Sequence, residues 1–275
     1  MMRRAQPWLG TVVDITVSDD SPCEPAMRAA FDVVAEVHRL MSFHDRSSDI
    51  ARLNRAGIGE QVEVHPRTAE VLAAALALAD QSEGLFNPFC APRLVALDQL
   101  PAPASAGPAP DWRARSDALL LDGCKIRKNA PAWIDLGGIA KGYAVDAAVK
   151  TLRVLGVRAG CVNAGGDLRA FGDIDWPVLL RDARRPNLAA WSTQLRDGAL
   201  ATSATYFSRK DTQGGATSAL VHGVNGTPLL TEASISVAAP VCMLADALTK
   251  VVAASGDDHH PLLARHGASA FVVAP

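Results

Sequence analysis

AWIDLGGIAKGYAVDAAVKTLRVL, Ala132 to Leu155, is the stretch whose reading decides the fold. A short apolar run, Trp133 and Ile134, leads into the acid Asp135. The glycine pair Gly137–Gly138 follows, then Lys141, then an amphipathic segment predicted to be a helix from about Gly142 to Leu155. Strand, tight glycine turn and helix start, with a cation in the opening, present backbone N–H groups to an anion. Glycine lets main chain approach a ligand with no Cβ in the way. Asp135 adds a carboxylate that can accept from a hydroxyl or amine, or help to hold a metal. Neither nucleotide fingerprint is present: GGIAKGY is not G-x-G-x-x-G, and no G-K-[ST] closes a P-loop.

Outward from that stretch, short elements alternate. Thr11–Val17 reads as a strand, Met27–Met41 as a helix with Phe31, Val34, His38 and Met41 on one face, and Ile50–Asn54 as a helical turn. Pro66–Ser82 reads as a helix opened by its proline and stopped by Gly84. Leu119–Ile126 and Ala132–Asp135 are predicted strands, as are Gly160–Asn163, Leu168–Phe171, Pro177–Arg181 and Ser234–Ala239. Val241–Ala254 is a predicted helix with Leu244, Leu248 and Val251 on one face. Leu100–Asp111, LPAPASAGPAPD, reads as an insertion loop. Helices gathered early and hairpin-like units later predict an α+β fold with mixed or antiparallel sheets and packed helices, one domain over residues 1–275.

Bulk properties narrow the function classes. The net charge of −2 offers no footprint for nucleic acid or an acidic membrane. Five dispersed cysteines without a C-x-x-C pair argue against a zinc site or disulfide framework and for a reducing compartment. The first predicted strand begins too early for a signal peptide, and the Ala-rich run Thr68–Ala79 is too short to span a bilayer, so the expected location is cytoplasmic.

Four more clusters bear chemistry. Val162–Gly172, VNAGGDLRAFG, is a glycine-pinned turn with Asp167 at its exit, most simply a hairpin. Leu200–Arg209 gathers Thr202, Ser203, Thr205, Tyr206 and Arg209, either a solvated turn or a set of phosphate donors. In Leu40–Asn54, Phe43 and His44 could flank a flat ring, although a lone histidine there more often sits at the surface. In Met243–Val252, Asp246, Thr249 and Lys250 share a helical face: hard-cation ligation, or a surface Asp246–Lys250 ion pair.

In this order, WLGT (Trp8–Thr11), MSFHDRSSDIARLN, GLFNPFCAPRL, IDLGGIAKGYAVD, VNAGGDLRAFG, ATSATYFSR and LADALTKVV resemble the ApbE family of FAD:protein FMN transferases. The resemblance runs from Trp8 to about Gly256, and IDLGGIAKGYAVD followed by VNAGGDLR is its specific part. It implies a single α+β domain with FAD in a cleft, and Mg²⁺-assisted movement of FMN from FAD to a threonine of a target protein, with release of AMP. It implies flavin or adenine contacts at Leu9, His44, Leu85, Phe86, Asn87, Asp135, Lys141 and Val221, and a metal held by the Gly138 carbonyl, Asp246 and Thr249.

The departures are specific. The family's M-G-T is Leu9-Gly10-Thr11, and its F-D-P is Phe86-Asn87-Pro88. Where the family has its histidine, a general base, this chain has Ala219, and where it has an aspartate this chain has His222; either His222 is the substitute base, the catalytic residue expected here, or proton abstraction is unassisted. The threonine that ends the family's metal motif is Lys250. Two placements are open for that lysine. Its ammonium could reach solvent, leaving Asp246 and Thr249 to the metal, or could itself occupy the cation position. The first is expected, since Asp246 and Thr249 remain a workable oxygen pair. The alternative function is an FAD-binding or storage protein of the same fold, with slow FAD hydrolysis at most. A Rossmann dehydrogenase is disfavoured by the missing fingerprint.

Overall fold

The computed structural model describes residues 1–18, 23–103, 107–113, 115–181, 188–205, 209–212 and 215–273. Its centre is a seven-stranded antiparallel sheet whose spatial order follows chain order: β1 (Met2–Trp8), β2 (Thr11–Val17), β3 (Gly160–Ala164), β4 (Asp167–Phe171), β5 (Ala199–Ser203), β6 (Ser234–Ala239) and β7 (Ser269–Val273). The expected α+β class is the observed one. In β2 the alternation works as the period-2 rule requires: Val13, Ile15 and Val17 are buried while the residues between them are not.

The helices enter between strands. The chain from β2 to β3 carries α1 (Glu24–Met41), α2 (Asp49–Arg55), α3 (Pro66–Gln81), α4 (Ala91–Ala96) and α5 (Ala140–Val154), and that from β6 to β7 carries α6 (Cys242–Ser255) and α7 (Pro261–Arg265). Helix α5 packs between α1 and α6 over β3 and β4. Val34, Ile134, Tyr143, Val162, Val237 and Leu248 belong to one continuous core. On the other face of the sheet, Leu168 and Leu200 pack with Val178 and Leu180 of the hairpin Trp176–Arg181/Ala189–Leu195.

Two expectations are corrected. Ala132–Asp135 pairs with no strand. Its backbone is satisfied instead by the Asn54 side chain, which donates to Ile134 O (3.0 Å) and accepts from Ile134 N (2.7 Å), and by Pro88 O, which accepts from Asp135 N (2.9 Å). The buried Lys128 ammonium fixes the end of α2 that carries Asn54, donating to the Leu53, Asn54 and Ala56 carbonyls at 3.0–3.3 Å. Leu119–Ile126 is not one strand but a hairpin, Leu119–Asp122 and Lys125–Lys128, completed by Gln61–Glu63. The described parts of Leu100–Asp111 contain no helix or strand.

Candidate functional site

A cleft of about 200 Å³ opens where the loop after α3, the approach to α5, segment 219–221 and the exposed edge of α6 meet. One wall is apolar: Leu85, Phe86, Leu94, Leu100 and Val221. The other is Asp135, Gly137, Gly138 and Lys250. That size is below the roughly 300–1,000 Å³ of drug-sized ligand sites.

Glycine and amide chemistry set the shape. The Cβ of any other residue at Gly223 would lie 2.1 Å from Gly84 O and 2.4 Å from Leu85 O, so only glycine lets the 219–226 segment close on the 84–87 loop. Asn87 ties the two together, donating to Gly223 O at 3.0 Å while its oxygen accepts from Phe89 N at 2.8 Å. A carboxylate has no N–H to make the first of these bonds. The departure from the family's F-D-P therefore has a structural use. Gly137 and Gly138 do not adopt positive φ, and only at Gly137 is space for a Cβ short. A Cβ at Gly137 would meet the Asp135 carboxylate at 3.0 Å, and one at Gly138 would meet the Phe86 ring at 3.4 Å and the Lys250 stem at 3.5 Å.

Asp135 accepts from Gly137 N at 3.1 Å. Burial raises its pKa, against the lowering effects of that amide and of His44 nearby. Burial, then the Asp135 charge, pushes the Cys90 thiol in the cleft wall up to about 12.

Behind the glycine turn lies a four-membered charge cluster. Lys141 pairs with Asp167, and reaches Asp246 at 3.4 Å. Lys250 pairs with the Asp246 carboxylate and also donates to the Asp246 main-chain carbonyl at 2.9 Å. Gly142 N, in the first turn of α5, donates to Asp246 Oδ2 at 3.1 Å. Burial opposes charge on Lys141, but Asp167 and Asp246 outweigh it and raise its pKa. Burial likewise opposes charge on Asp246, yet the two ammoniums hold its pKa below the ordinary carboxylate range, while burial and the Asp246 charge raise that of Asp167.

The expectation that Lys250 turns to solvent is overturned: its side chain is only 18% exposed and is paired with a fully buried aspartate. With it goes the expected metal set. Both Asp246 carboxylate oxygens and its carbonyl accept from donors, and Thr249 Oγ1, fully buried, donates to Asp246 O at 2.6 Å and lies 2.7 Å from Ser203 Oγ. A divalent cation at Asp246 would face two ammoniums, so these residues do not fit Mg²⁺. Among the described residues no group of three or more His, Cys, Asp or Glu side chains is placed to hold a metal ion.

Of the residues singled out in the sequence, Leu85, Phe86, Asn87, Asp135, Gly138 and Val221 line the cleft, and Lys141, Asp246 and Thr249 stand in the cluster behind it. His44 is exposed, edge-on to Phe43 and close enough to Asp135 to lower its pKa. Leu9 takes φ 58° in the β1–β2 turn, outside the residues that line the cleft. His222 is also outside them. Its Nδ1 accepts from Val224 N (3.2 Å) and Asn225 N (3.4 Å), capping a turn. The hydroxyls of the Leu200–Arg209 cluster are engaged internally, Thr202 with Ser236 at 2.8 Å and Thr205 with Thr231 O at 2.5 Å; Tyr206 lies outside the described residues. Sequence reasoning missed Cys90, Leu94, Gln99 and Leu100 as cleft residues and Gly142 and Gly223 as packing glycines. The G-x-x-x-G spacing from Gly138 to Gly142 was the one available signal for Gly142.

Residues 9–272, which supply both walls of the cleft and the cluster behind it, match the sequence pattern of the ApbE family. The chain belongs to the ApbE family. A protein named FAD:protein FMN transferase from Rhodobacter capsulatus is 31% identical over 235 residues, 78% of this chain but 44% of that protein, so this chain spans less than half of that relative. A protein of the same name from Treponema pallidum is 27% identical over 89% of this chain and 76% of its own length. Among solved structures, the ApbE protein from Thermotoga maritima superposes with a TM-score of 0.84 at 26% identity, covering 99% of this chain and 94% of that one. The Pseudomonas stutzeri flavinyl transferase ApbE, at 23% identity and TM-score 0.82 over 98% and 90%, shares the fold. No helix among the described residues is long and apolar enough to cross a membrane.

Proposed function

We propose that this ApbE-family chain is an FAD:protein FMN transferase, taking FMN from FAD, placing it on a threonine of an acceptor protein and releasing AMP. The observation that carries the reading is the mixed lining of the cleft: apolar Leu85, Leu100 and Val221 suited to a flat ring, together with a glycine turn, a carboxylate and an ammonium suited to a diphosphate and its sugar hydroxyls. In the reaction, the threonine Oγ gives up its proton to water and forms a bond to the flavin-side phosphorus. The bridging P–O bond breaks and its electron pair leaves with AMP. The chain's part is to hold the diphosphate against the Gly137–Gly138 turn, to orient the sugar hydroxyls through Asp135, and to keep a cation beside the oxygens that gain charge. No step is assigned to Mg²⁺, because its expected ligands are engaged. Five dispersed cysteines with no C-x-x-C pair support a reducing, cytoplasmic setting.

Ala219 in the cleft wall favours a second reading, an FAD-binding protein that transfers slowly or not at all, since the resemblance puts the general base at that position. The purified protein is incubated with FAD and a cell extract as acceptor source, and flavin absorbance, AMP and fluorescent bands on a denaturing gel are recorded. A fluorescent band with AMP supports transfer. Bound flavin without AMP supports the second reading, and no flavin affinity rejects both.

Gly138→Val provides a test of the cleft itself. A single carbon there is just accommodated, but the valine methyls must displace Phe86 or Lys250. FAD affinity, followed by fluorescence quenching, is expected to fall at least about tenfold, or ~1.4 kcal/mol, while the protein still melts cooperatively. Unchanged affinity would restrict these glycines to a structural turn.

A further inference from the structure

We infer that Lys250 is the resident counterion of the diphosphate, so that this chain binds FAD without a divalent metal. The inference rests on the FAD reading above and concerns how the ligand's negative charge is met.

Three observations converge. The first is position. Lys250 lines the cleft, and its Cγ and Cε lie 3.8 and 3.5 Å from where a Gly138 Cβ would stand, so the stem runs beside the glycine turn that would cradle phosphate oxygens. The second is occupancy. Asp246 Oδ1 accepts from Lys250, Oδ2 from Gly142 N and Lys141, and the Asp246 carbonyl from Lys250 and Thr249. A divalent cation needs several unoccupied oxygens. Here it would first have to expel an ammonium from a fully buried carboxylate. The third is the donor count. An ammonium has three N–H groups; Asp246 takes two of those of Lys250, which leaves one for a ligand oxygen.

Charge balance points the same way. Lys141, Lys250, Asp167 and Asp246 together are neutral and mutually paired. Asp246 and the α5 N-terminus thus hold Lys250 in place before any ligand arrives, and the ammonium need not be reorganised when the diphosphate enters. A fixed monovalent cation polarises phosphorus less than a divalent one. This arrangement therefore favours holding FAD over cleaving it fast.

The test is equilibrium binding of FAD, and of ADP as a flavin-free diphosphate, by calorimetry in chelator and in millimolar Mg²⁺. The intact chain is compared with Lys250→Arg, Lys250→Met and Lys250→Thr, each checked for a cooperative melt. The parent and Lys250→Arg are expected to bind FAD equally, within about twofold, in both conditions. Lys250→Met is expected to lose at least about tenfold in both, and Lys250→Thr to bind weakly in chelator and regain affinity with Mg²⁺. If chelator weakens the parent tenfold or more, or Lys250→Met binds as the parent does, the inference falls while the FAD reading stands. If the parent binds neither FAD nor ADP in either condition, both fall.

Discussion

Ala219→His is expected to raise the single-turnover rate of FMN transfer by about 10²–10⁴-fold, the usual contribution of a well-placed general base. Ala219 is exposed at the cleft wall, so an imidazole can be added without being forced into the core. Its segment is rigidly carried: Leu229 N donates to Leu220 O at 2.8 Å, Val221 bridges to Pro228, and Asn87 holds Gly223. Among the described residues that line the cleft there is no histidine. With Nδ1 of His222 accepting from two turn amides, the proton of the neutral ring sits on Nε2, so the ring as held has no unshared lone pair to offer a hydroxyl. The gain from Ala219→His should grow as pH rises through about 6.5, where an unperturbed imidazole becomes neutral and able to accept a proton. The companion variant His222→Ala is expected to leave the parent rate within about twofold, far short of a base's contribution. AMP release measured against pH decides both. An Ala219→His protein no faster than the parent would remove the missing base as the reason for slow transfer, and a large loss in His222→Ala would reinstate His222 as the substitute base.

Where local pattern alone determines structure, the sequence was readable. Thr11–Val17 and Ser234–Ala239 carry enough β-branched residues to mark their own ends, and both strands have the predicted bounds. Met2–Trp8 escaped because MRRAQPW has two arginines, a proline and no β-branched residue; it is a strand only because β2 lies beside it, and as the edge of the sheet it tolerates Pro7. Ala132–Asp135 was misread for the opposite reason: its residues suit a strand, but its hydrogen bonds go to Asn54, a side chain some 80 positions earlier.

The candidate site divides in the same way. Leu85, Phe86, Asn87, Asp135, Gly138 and Val221 could be named because the family resemblance marks them, and the fold brings them to one cleft. The placement of Lys250 could not be. An Asp and a Lys four residues apart on a helix have the same spacing whether they form a solvated surface pair or a buried counterion. What separates the two is that Asp246 is fully buried beneath Lys141 and the start of α5, a fact of tertiary packing.

Gly142→Ala is the change expected to cost the fold most for the fewest atoms. The added Cβ would stand 2.3 Å from Cys242 O and 2.8 Å from Met243 Cα, so the first turn of α5 rests directly on the first turn of α6. Both contacts are main chain, which cannot rotate away as a side chain would. Overpacking of this kind costs typically about 1–3 kcal/mol, and a backbone clash belongs at the upper end or beyond. In a domain of this size ~3 kcal/mol corresponds to a fall in Tm of about 6–12 °C. The damage should also reach the cleft. Asp146 on α5 holds the α6 N-terminus by accepting from Cys242 N at 2.9 Å and Met243 N at 2.8 Å, while Gly142 N donates to Asp246. Spreading the helices strains all three bonds and shifts the Asp246 carboxylate that fixes Lys250. FAD affinity should therefore fall in Gly142→Ala well below the melting transition, whereas an alanine at Gly156, where nothing lies within 4 Å of the added carbon, should leave affinity unchanged and cost only the strain of its positive φ. A Gly142→Ala protein melting within about 2 °C of the parent, a change of under about 1 kcal/mol, would show that α5 and α6 can part freely, and that their close approach does not hold the charge cluster together.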